Sequence, residues 1–231
     1  MQKIQDPTNC AVCPLKSSLF KALGAKETAC VHRHKEEVLV QSGEQIVHRG
    51  QEITHFFYLQ TGLVKLYSES ESHREQIISI SRPLDFIGLL TIFSDTHYQY
   101  SISAVLESRL CMIEVGCIET LVAQNGSFAI EVLKNMSIMT DHILKDSYNL
   151  RSLQMRGRIA YVLNFFAEDI FKSSGFELPL SRKEFGQMIG VSTENVIRIL
   201  SEFRRDGLIR ISGKSIDILN HAAVREIAIR G

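Results

Sequence analysis

This 231-residue chain lacks any long apolar run, and no apolar core follows a basic N-terminal start. A membrane-spanning helix needs about 20 consecutive apolar residues, and a secretory signal needs a shorter apolar core behind basic residues. Because neither pattern is present, we expect a cytoplasmic protein without a membrane partner. The sequence also lacks an HExxH motif, a Ser/His/Asp order and a phosphate-binding glycine loop, so we do not expect an enzyme.

Cysteine is scarce and odd in number, with five residues in the chain. In the absence of a secretory signal, an odd number of cysteines is untypical of a disulfide framework. Cys10 and Cys13 are separated by two residues, whereas Cys30, Cys111 and Cys117 are isolated. The pattern predicts reduced thiols or a metal site.

A net charge is also absent, because 26 basic residues balance 26 acidic ones. The balance differs along the chain: residues 1–150 hold 13 Lys+Arg against 17 Asp+Glu, which gives −4, and residues 151–231 hold 13 against 9, which gives +4. A basic C-terminal third is suited to contacts with phosphate groups. Hydrophobic residues make up 45% of the chain, which is typical of globular proteins.

Short apolar runs of β type, punctuated by glycines, extend from about residue 34 to residue 117. Runs of this length and spacing predict a small barrel or sandwich. The predicted strands cover residues 38–40, 45–47, 56–59, 63–67, 76–80, 101–105 and 109–113.

Glycine is then missing between Gly126 and Gly157, and the apolar period becomes helical. Seven positions spaced alternately four and three residues apart form a heptad seam, in which only the aspartate is polar: Val132, Met136, Met139, Ile143, Asp146, Leu150 and Leu153. One interpretation is a helix that packs on its own barrel. The other is a dimer coiled coil that touches the barrel at one end, in which a buried Asp146 pair would need a partner or water.

The segment 178–218 predicts a winged helix-turn-helix that follows a helix over 155–173. Ser181 and Glu184 have the spacing of a capping box, Gly190 suits the turn, and Ser192 suits the start of the next helix. That helix buries an apolar stripe and presents four side chains on its other face, which we predict to read bases: Thr193, Glu194, Ile197 and Arg198. Because Glu194 and Arg198 lie four residues apart, they can address cytosine N4 and guanine O6/N7 together, or form an ordinary exposed ion pair.

Two β-type runs after Gly207 flank Ser212, Gly213 and Lys214, which predicts a hairpin wing with a lysine near its tip. Polar side chains around the helix-turn-helix are predicted to contact phosphates, with ordinary solvated charge as the alternative interpretation: Arg182, Lys183, Ser192, Arg205 and Lys214.

With these motifs, the chain resembles the CRP/FNR family of bacterial transcription regulators along nearly its whole length. The resemblance rests on G-E-x-I-x-x-x-G over residues 43–50, F-Y-L-x-x-G-x-V-K-L-Y over 57–67 and D-F-I-G over 85–88, followed by the long helix and the winged segment. It implies an α+β protein with a cyclic-nucleotide-binding-type β-roll (1–125), a long dimerisation helix (126–153) and a C-terminal winged helix-turn-helix domain (154–231).

The resemblance also implies a homodimer on a two-fold symmetric double-stranded DNA operator, with RNA polymerase as a further partner. Glu194 and Arg198 match the family's base-reading Glu and Arg, which favours a TGA-type core. Thr193 stands where the cyclic-AMP-responsive branch has arginine, and Ile197 stands where the oxygen-sensing branch has serine. The alternative is a ligand- or redox-binding module whose C-terminal domain mainly contacts proteins.

The effector stays open at this point. The cyclic-AMP branch carries an Arg-Ser pair for the cyclic phosphate, and the matching residues 97–101 hold no arginine, so we do not expect cyclic AMP binding. The oxygen-sensing branch holds an iron–sulfur cluster on cysteines, and Cys10, Cys13 and Cys111 resemble that set. Cys30, the fourth candidate ligand, lies farther from Cys13 than in that branch.

Other effectors remain as alternatives. Zinc on the N-terminal cysteines with His32 or His34, a haem, an unknown small molecule or no effector at all would each be compatible with this sequence. The cysteines could equally be small buried apolar side chains and a flexible thiol pair.

Overall fold

Antiparallel strands form the N-terminal part, because its short alternating runs are separated by glycines that adopt positive φ at turns. The computed structural model describes residues 1–14, 18–69 and 75–231. Every predicted strand of this part is confirmed, and two short strands, β1 and β7, add to them. The strands are β1 (Gln2–Lys3), β2 (Lys35–Val40), β3 (Gln45–Val47), β4 (His55–Thr61), β5 (Val64–Glu69), β6 (Glu75–Ser81), β7 (Phe86–Ile87), β8 (Ser101–Ala104) and β9 (Ser108–Glu114).

The strands form two sheets, in the orders β1-β2-β9-β4-β7 and β3-β8-β5-β6. In the first sheet, β9 lies between β2 and β4 and is antiparallel to both. The register places Glu37 of β2 and Tyr58 of β4 on either side of Cys111. Residues that are distant in sequence therefore share one row across the sheet.

The central strand β4 contributes side chains to two separate apolar clusters, because successive residues of a strand point to opposite faces. Phe56 and Tyr58 belong to a cluster with Phe86, Cys111 and the helices. Phe57 and Leu59 belong to a second cluster on the other face. Both faces of this strand are buried, which explains why its sequence is almost continuously apolar.

Gly62 makes the turn between β4 and β5. Its φ is +92°, and a Cβ at this position would lie 2.3 Å from Ser108 Oγ and 2.4 Å from the Glu107 carbonyl oxygen. Any larger residue would have to displace backbone, so the turn requires glycine.

Four helices accompany the sheets. The helices α1 (Ser18–Lys21) and α2 (Ala25–Arg33) precede β2, and α3 (Val115–Gln124) and α4 (Gly126–Ser152) follow β9. Thr28 and Val31 of α2 are buried, and Cys117, Ile118 and Leu121 of α3 join the apolar cluster around Phe56.

The long helix α4 packs on its own roll at its N-terminal end, as both interpretations of the heptad seam allow. Val132 is only 3% exposed, and Met136 and Met139 pack partly against the same cluster. The assignment of Val132 to a dimer interface is therefore wrong, because its surface is already covered. Leu153 is also buried within its own chain, at 8% exposure, so its assignment to that interface is wrong as well.

Asp146, the polar exception in the seam, accepts a hydrogen bond of 2.5 Å from the Tyr161 hydroxyl. A different face of α4 carries exposed large apolar side chains: Ile130, Leu133, Leu144 and Tyr148. At 3.6 residues per turn, this face lies roughly 145° around the helix from the predicted seam. The apolar positions of α4 therefore occupy more than one face.

The rest of the chain folds as a second unit. Packing divides the described residues into one unit of 1–14, 18–69 and 78–142 and another of 75–77 with 143–231. The predicted boundaries after residues 125 and 153 stay predictions. No helix in the described ranges combines the length and the apolar character needed to cross a bilayer.

The second unit begins with α5 (Met155–Asn164), which continues as a π-helical turn over Phe165–Ile170. The predicted uninterrupted helix over 155–173 is therefore too long. The remaining elements are β10 (Gly175–Glu177), α6 (Arg182–Ile189), α7 (Thr193–Arg205), β11 (Ile209–Ser212), β12 (Ser215–Ile218) and α8 (His221–Arg230).

The strands of this unit form a sheet in the order β10-β12-β11. Phe166, Phe185 and Phe203, each fully buried, fill its core from the π-helical turn, α6 and α7. The sequence patterns above do not predict β10 or α8. The helix-turn-helix and its wing are present where they were predicted.

Candidate DNA-binding surface and thiol cavity

The first helix of the helix-turn-helix begins at a complete capping box. The Ser181 hydroxyl accepts a hydrogen bond of 3.2 Å from the Glu184 backbone N–H, and the Glu184 carboxylate accepts one of 2.9 Å from the Ser181 N–H. The helix ends at Gly190, whose φ is +68°. These residues fix the turn that sets the direction of α7.

The second helix, α7, is strongly two-sided. Ser192 caps it by accepting a hydrogen bond of 3.3 Å from the Asn195 N–H. The helix buries four apolar side chains: Val196, Ile199, Leu200 and Phe203. On the opposite face, Glu194 and Arg198 are exposed and Ile197 is 50% exposed, while Thr193 is half-buried. The predicted base-reading residues therefore occupy the outward face of one rigid helix.

Glu194 lies at the N-terminal end of α7 as a carboxylate. Hydrogen bonds from its own backbone N–H and from the Ser192 hydroxyl lower the pKa of its side chain. A negative charge is favoured at this end of a helix because the first backbone N–H groups are unpaired. The alternative interpretation of an ion pair with Arg198 is not what the structure forms.

Arg198 instead pairs with residues on its own side of the helix. Its Nη1 lies 2.6 Å from Glu202 Oε1, and its Nη2 donates to Asn195 Oδ1 at 3.3 Å. The guanidinium is about half exposed, so this pair is accessible to a competing ligand. An exposed ion pair of this spacing is worth about 0.2–0.5 kcal/mol, which a stronger partner can replace.

Glu202 is shared with a second arginine that sequence reasoning missed. Arg156 of α5 donates from Nη1 to Glu202 Oε2 at 2.9 Å and from Nη2 to Asp206 Oδ2 at 3.2 Å. Its guanidinium also lies 5.0 Å from the centroid of the Phe203 ring. The four-residue spacing of Arg198 and Glu202 could have indicated their pair, but nothing in the local sequence indicates Arg156.

The cationic side chains predicted to contact phosphates differ in their surroundings. Arg182 is half-buried, and this burial lowers the pKa of its guanidinium. It donates a hydrogen bond of 3.1 Å to the Gly213 carbonyl oxygen and so connects α6 to the wing. Lys183 and Lys214 are exposed, and Arg205 lies 3.8 Å from Asp206. Three cations are thus available at the surface, while Arg182 supports the wing.

The wing is a tight antiparallel hairpin. Ser212 pairs with Ser215 across Gly213, whose φ is +61°. Because Lys214 lies within this turn, it projects from the end of the hairpin. This arrangement agrees with the predicted form of the wing.

A cavity in the N-terminal unit brings together three of the five cysteines. Cys10 and Cys13, which flank a short 3₁₀ turn, line it together with Cys111 of β9. Tyr58 and Gln60 of β4 also line it, and Gln60 Nε2 donates to Cys111 Sγ at 2.9 Å. The CxxC pair and the distant Cys111 thus border the same cavity, while their assignment as ligands of a metal or cluster stays a prediction.

A buried ion network connects the N-terminal segment to the roll beside this cavity. The side chains of Lys35 and Glu37 are 1% and 0% exposed, and Lys35 Nζ lies 2.6 Å from Glu37 Oε1. Arg109 Nε donates to Glu37 Oε2 at 3.1 Å. Glu37 also accepts a hydrogen bond of 3.0 Å from the Thr8 N–H, and Lys35 donates to the Thr8 carbonyl oxygen.

Both members of this pair are charged in the folded protein. Burial opposes the charge of Lys35, but the hydrogen bond to Glu37 and the electrostatic attraction of neighbouring acidic groups together outweigh it, so the pKa of the ammonium group is raised. Burial likewise opposes the charge of Glu37, but hydrogen bonds from Lys35 and Arg109 lower the pKa of its carboxyl group. Lys35 thus supplies a fixed positive charge at the wall of the cavity.

Burial disfavours the thiolate form of two thiols of the cavity. Burial raises the pKa of Cys111 to about 12 and also raises the pKa of Cys10. Lys35 acts in the opposite direction on both thiols, because its positive charge favours a thiolate. A thiophilic ligand or an oxidant would meet mainly apolar walls, with Lys35 as the cation among the described lining residues.

Cys30 does not join the other predicted metal ligands. Its Sγ lies 3.9 Å from the Sγ of Cys117, outside the cavity that Cys10, Cys13 and Cys111 line. The prediction of a four-cysteine set is therefore wrong at Cys30. In the described ranges, no group of three or more His, Cys, Asp or Glu side chains is close enough to hold a metal ion.

The contacts of His34 bear on the alternative of a zinc site. His34 Nδ1 lies 3.0 Å from Glu114 Oε2, so that ring nitrogen faces a carboxylate. His34 is thus held by Glu114 rather than by a site with Cys10 and Cys13.

The region that corresponds to the family's cyclic phosphate site is filled by an aromatic residue. Tyr98 is buried in the core of the roll, and its hydroxyl donates to the His55 carbonyl oxygen at 2.8 Å. Gln99 is exposed, and its Nε2 donates a hydrogen bond of 2.6 Å to Asp95 Oδ2. A neighbouring small cavity, bounded by Gly88 and Met139 among others, has no arginine or lysine in its described lining. These features offer no cation for a cyclic phosphate.

Comparisons with known proteins agree with this architecture. The family model of the cyclic nucleotide-binding domain matches residues 37–125, and that of the Crp-like helix-turn-helix domain matches residues 157–227. Electron transport regulator A of Shewanella oneidensis is 28% identical over 193 residues, which cover 82% of this chain and 77% of that protein. The fumarate and nitrate reduction regulatory protein of Escherichia coli K12 is 26% identical over 196 residues, with the same two coverages.

Solved structures show the same fold. The structure of FixK2 from Bradyrhizobium japonicum superposes with a TM-score of 0.76 at 20% identity, covering 84% of this chain and 96% of that one. The chain has the two matched domains in the same order as regulators that combine a sensor domain with a DNA-binding helix-turn-helix, and a helix lies between them. The chain therefore belongs to the CRP/FNR family of transcription regulators.

Proposed function

We propose that this regulator acts as a homodimer and reads a two-fold symmetric operator with one α7 helix per half-site. The observation that carries the proposal is the outward face of α7, where Glu194 and Arg198 stand on a capped helix beside an exposed lysine-tipped wing. Carboxylate and guanidinium groups at this spacing match cytosine N4 and guanine O6/N7. We assign 154–231 to this reading domain, 126–153 to dimerisation and 1–125 to sensing.

Base reading requires Arg198 to exchange its partner. In the free chain its guanidinium is held by Glu202, and in the complex it would turn to a guanine edge as a bidentate donor. Glu202 would not be left without a partner, because Arg156 still neutralises it. Arg156 is thus a positioning residue that lowers the cost of releasing Arg198.

Phosphate contacts would hold α7 in register in the major groove. We assign this role to Lys183, Arg205 and Lys214, which are exposed, and to Ser192 at the start of α7. Arg182 would act mainly by holding the wing against α6. These contacts carry affinity and salt dependence but little sequence information.

The dimer would form along the exposed apolar face of α4. Ile130, Leu133, Leu144 and Tyr148 recur at helical spacing on this face. A second copy of the same helix covers such a face best, because a two-fold interface is self-complementary. The predicted seam lies on another side of α4, and the assignment of its half-buried residues to the dimer interface stays a prediction: Met136, Met139, Ile143, Asp146 and Leu150.

The signal would enter through the thiol cavity rather than through the nucleotide pocket. Cys10, Cys13 and Cys111 line one cavity beside the buried Lys35, while Tyr98 fills the position of the missing arginine. Three thiols are one fewer than the usual complement of an iron–sulfur cluster, so the cysteines of this cavity do not by themselves fit that group. A thiophilic ligand or an oxidant is the class of signal that this chemistry would recognise.

A test of the reading domain compares three duplexes by fluorescence anisotropy at constant salt. They carry two TGA-type half-sites in inverted orientation, one half-site with the other scrambled, or two scrambled half-sites. We expect binding that weakens stepwise in this order, with a dimer on the first duplex. Equal affinity for all three would overturn the proposal. We place the protein in the cytoplasm. Transcription from the same operator with purified RNA polymerase then tests whether the polymerase is a partner.

A test of the signal uses protein purified without oxygen. For the parent and for Cys111→Ser, we measure metal content, the visible spectrum and operator binding, each before and after treatment with a thiol oxidant. Calorimetric titration with nucleotides is done on the same proteins. We expect Cys111→Ser to abolish either the bound metal or the response to the oxidant. Tight cyclic AMP binding together with an unchanged response in Cys111→Ser would contradict the proposal.

A further inference from the structure

Two cysteines outside the thiol cavity lie in contact with each other. Cys30 of α2 and Cys117 of α3 have their sulfur atoms 3.9 Å apart, although 87 positions separate them in the chain. A disulfide requires the two sulfur atoms to approach to about 2.05 Å. Side-chain rotations at two neighbouring helices can supply this movement, because α2 and α3 already pack against each other.

The two thiols differ in their access to solvent. Cys30 is half-buried, whereas Cys117 is a buried member of the apolar cluster around Phe56. Redox-sensitive cysteines combine an accessible sulfur with a neighbouring thiol that resolves the first oxidation product. Among the described cysteines, only this pair is in sulfur–sulfur contact. Cys111, equally buried, faces Gln60 instead.

We propose that Cys30 and Cys117 form a reversible disulfide in response to a peroxide. The Cys30 thiolate attacks one oxygen of hydrogen peroxide, which breaks the O–O bond, gives a sulfenic acid at Cys30 and releases one water after protonation. The Cys117 sulfur then attacks the sulfenic sulfur, loses its proton and displaces a second water. Two thiols and one peroxide thus give one disulfide and two waters, and a small thiol reverses the reaction.

The disulfide would act on the part of the chain that carries the sensor thiols. It would join α2, which follows the CxxC segment, to α3, which leads directly into α4. A bond across 87 positions removes more freedom from the unfolded chain than a short-range bond does. The proposed disulfide does not depend on base reading by α7, so it can form even if the proposed operator is wrong.

Peptide mapping tests the bond directly. Cleavage after Lys, Arg and Glu separates Cys30 in peptide 28–33, Cys111 in 110–114 and Cys117 in 115–119. Reduced full-length protein is treated with one equivalent of hydrogen peroxide, and free thiols are then alkylated. We expect peptides 28–33 and 115–119 to be joined in most chains and to separate after treatment with dithiothreitol.

Matched variants separate this bond from general thiol oxidation. Cys111→Ser removes an equally buried thiol and should leave the cross-link intact, whereas Cys117→Ser should abolish it and leave a sulfenic acid at Cys30 that dimedone captures. If circular dichroism shows that Cys117→Ser is unfolded, Cys117→Ala and Cys30→Ser replace it. The proposal is overturned if the parent gives dimedone-labelled Cys30 without a cross-link, or if Cys30 stays reduced while other thiols react.

Discussion

The two functional regions of this regulator are built in opposite ways. The reading surface lies within one short stretch of chain, from Ser181 to Ser215, and each of its turns is set by a local signal. The thiol cavity joins Cys10 to Cys111, which lie 101 positions apart (111 − 10), through the register of β2, β9 and β4. Local motifs in the sequence indicate the reading surface, whereas only the family resemblance, and no spacing in the chain, groups Cys111 with Cys10 and Cys13.

The regions also differ in how they use charge. At α7 the Arg198 guanidinium is about half exposed, so its pair with Glu202 is open to a competing partner. Beside the cavity, Lys35 and Glu37 are fully buried and fixed. Exposed pairs contribute little stability but remain free to bind DNA, whereas breaking a buried pair leaves an uncompensated charge.

The largest expected effect comes from breaking the buried pair. Glu37→Gln leaves the Lys35 ammonium without a charged partner, and we expect a loss of about 3–5 kcal/mol in the free energy of unfolding. Denaturant unfolding of the full chain measures it. The double variant Lys35→Met with Glu37→Leu should recover part of that loss, because it removes both fully buried charges and leaves only the half-buried Arg109 guanidinium without its partner. A loss under 1 kcal/mol in Glu37→Gln would show that the network does not anchor the segment.

The same pair gives the stability a defined pH dependence. Folding lowers the pKa of Glu37, so its stabilisation is present above the ordinary carboxyl value of 4.5 and is lost as the pH falls through the lower folded-state pKa. We expect the parent to lose more stability than the Lys35→Met, Glu37→Leu double variant below this value. Parallel acid-unfolding curves would contradict the assignment.

A smaller effect is expected at the dimer helix. Leu144→Ala removes an exposed apolar side chain from α4, and we expect the dimer dissociation constant to rise about tenfold, or about 1.4 kcal/mol. Analytical ultracentrifugation measures it. Ile138→Ala is the matched control, because Ile138 is similarly exposed but lies on another face of α4. An equal effect of both substitutions would reject the proposed face.

A still smaller effect on stability is expected at Ser181, which caps α6. Ser181→Ala removes the acceptor for the Glu184 N–H, and we expect a loss of about 1 kcal/mol in stability with little change in base preference. Thermal unfolding and operator binding are measured together. A changed base preference without destabilisation would mean that Ser181 contacts DNA rather than capping α6.

The sequence predicted much of the fold for identifiable reasons. The strands from Lys35 to Glu114 followed alternating apolar runs between glycine turns, and the helix-turn-helix followed the Ser181 and Ser192 caps. The π-helical turn after Asn164 was not predicted, because the apolar pattern continues through it without a local signal.

The heptad seam shows a different limit of sequence reasoning. A helix with two apolar faces fits more than one seam, and only the packing of Val132 on its own roll decides which face is covered. Cys30 was misassigned for a similar reason: spacing in the chain gave no sign that α2 directs this thiol to Cys117. Arg156 was missed because its partner Glu202 lies in another helix.

The central claim is that α7 reads bases through Arg198. The most direct test is the affinity of Arg198→Ala for the operator and for a scrambled duplex over a range of salt concentrations, with Lys214→Ala as the matched cation control. We expect Arg198→Ala to lose about 1–3 kcal/mol per half-site on the operator alone, and Lys214→Ala to weaken both duplexes alike with a salt slope smaller by about 1. Equal losses of Arg198→Ala on both duplexes, or none on either, would contradict the claim.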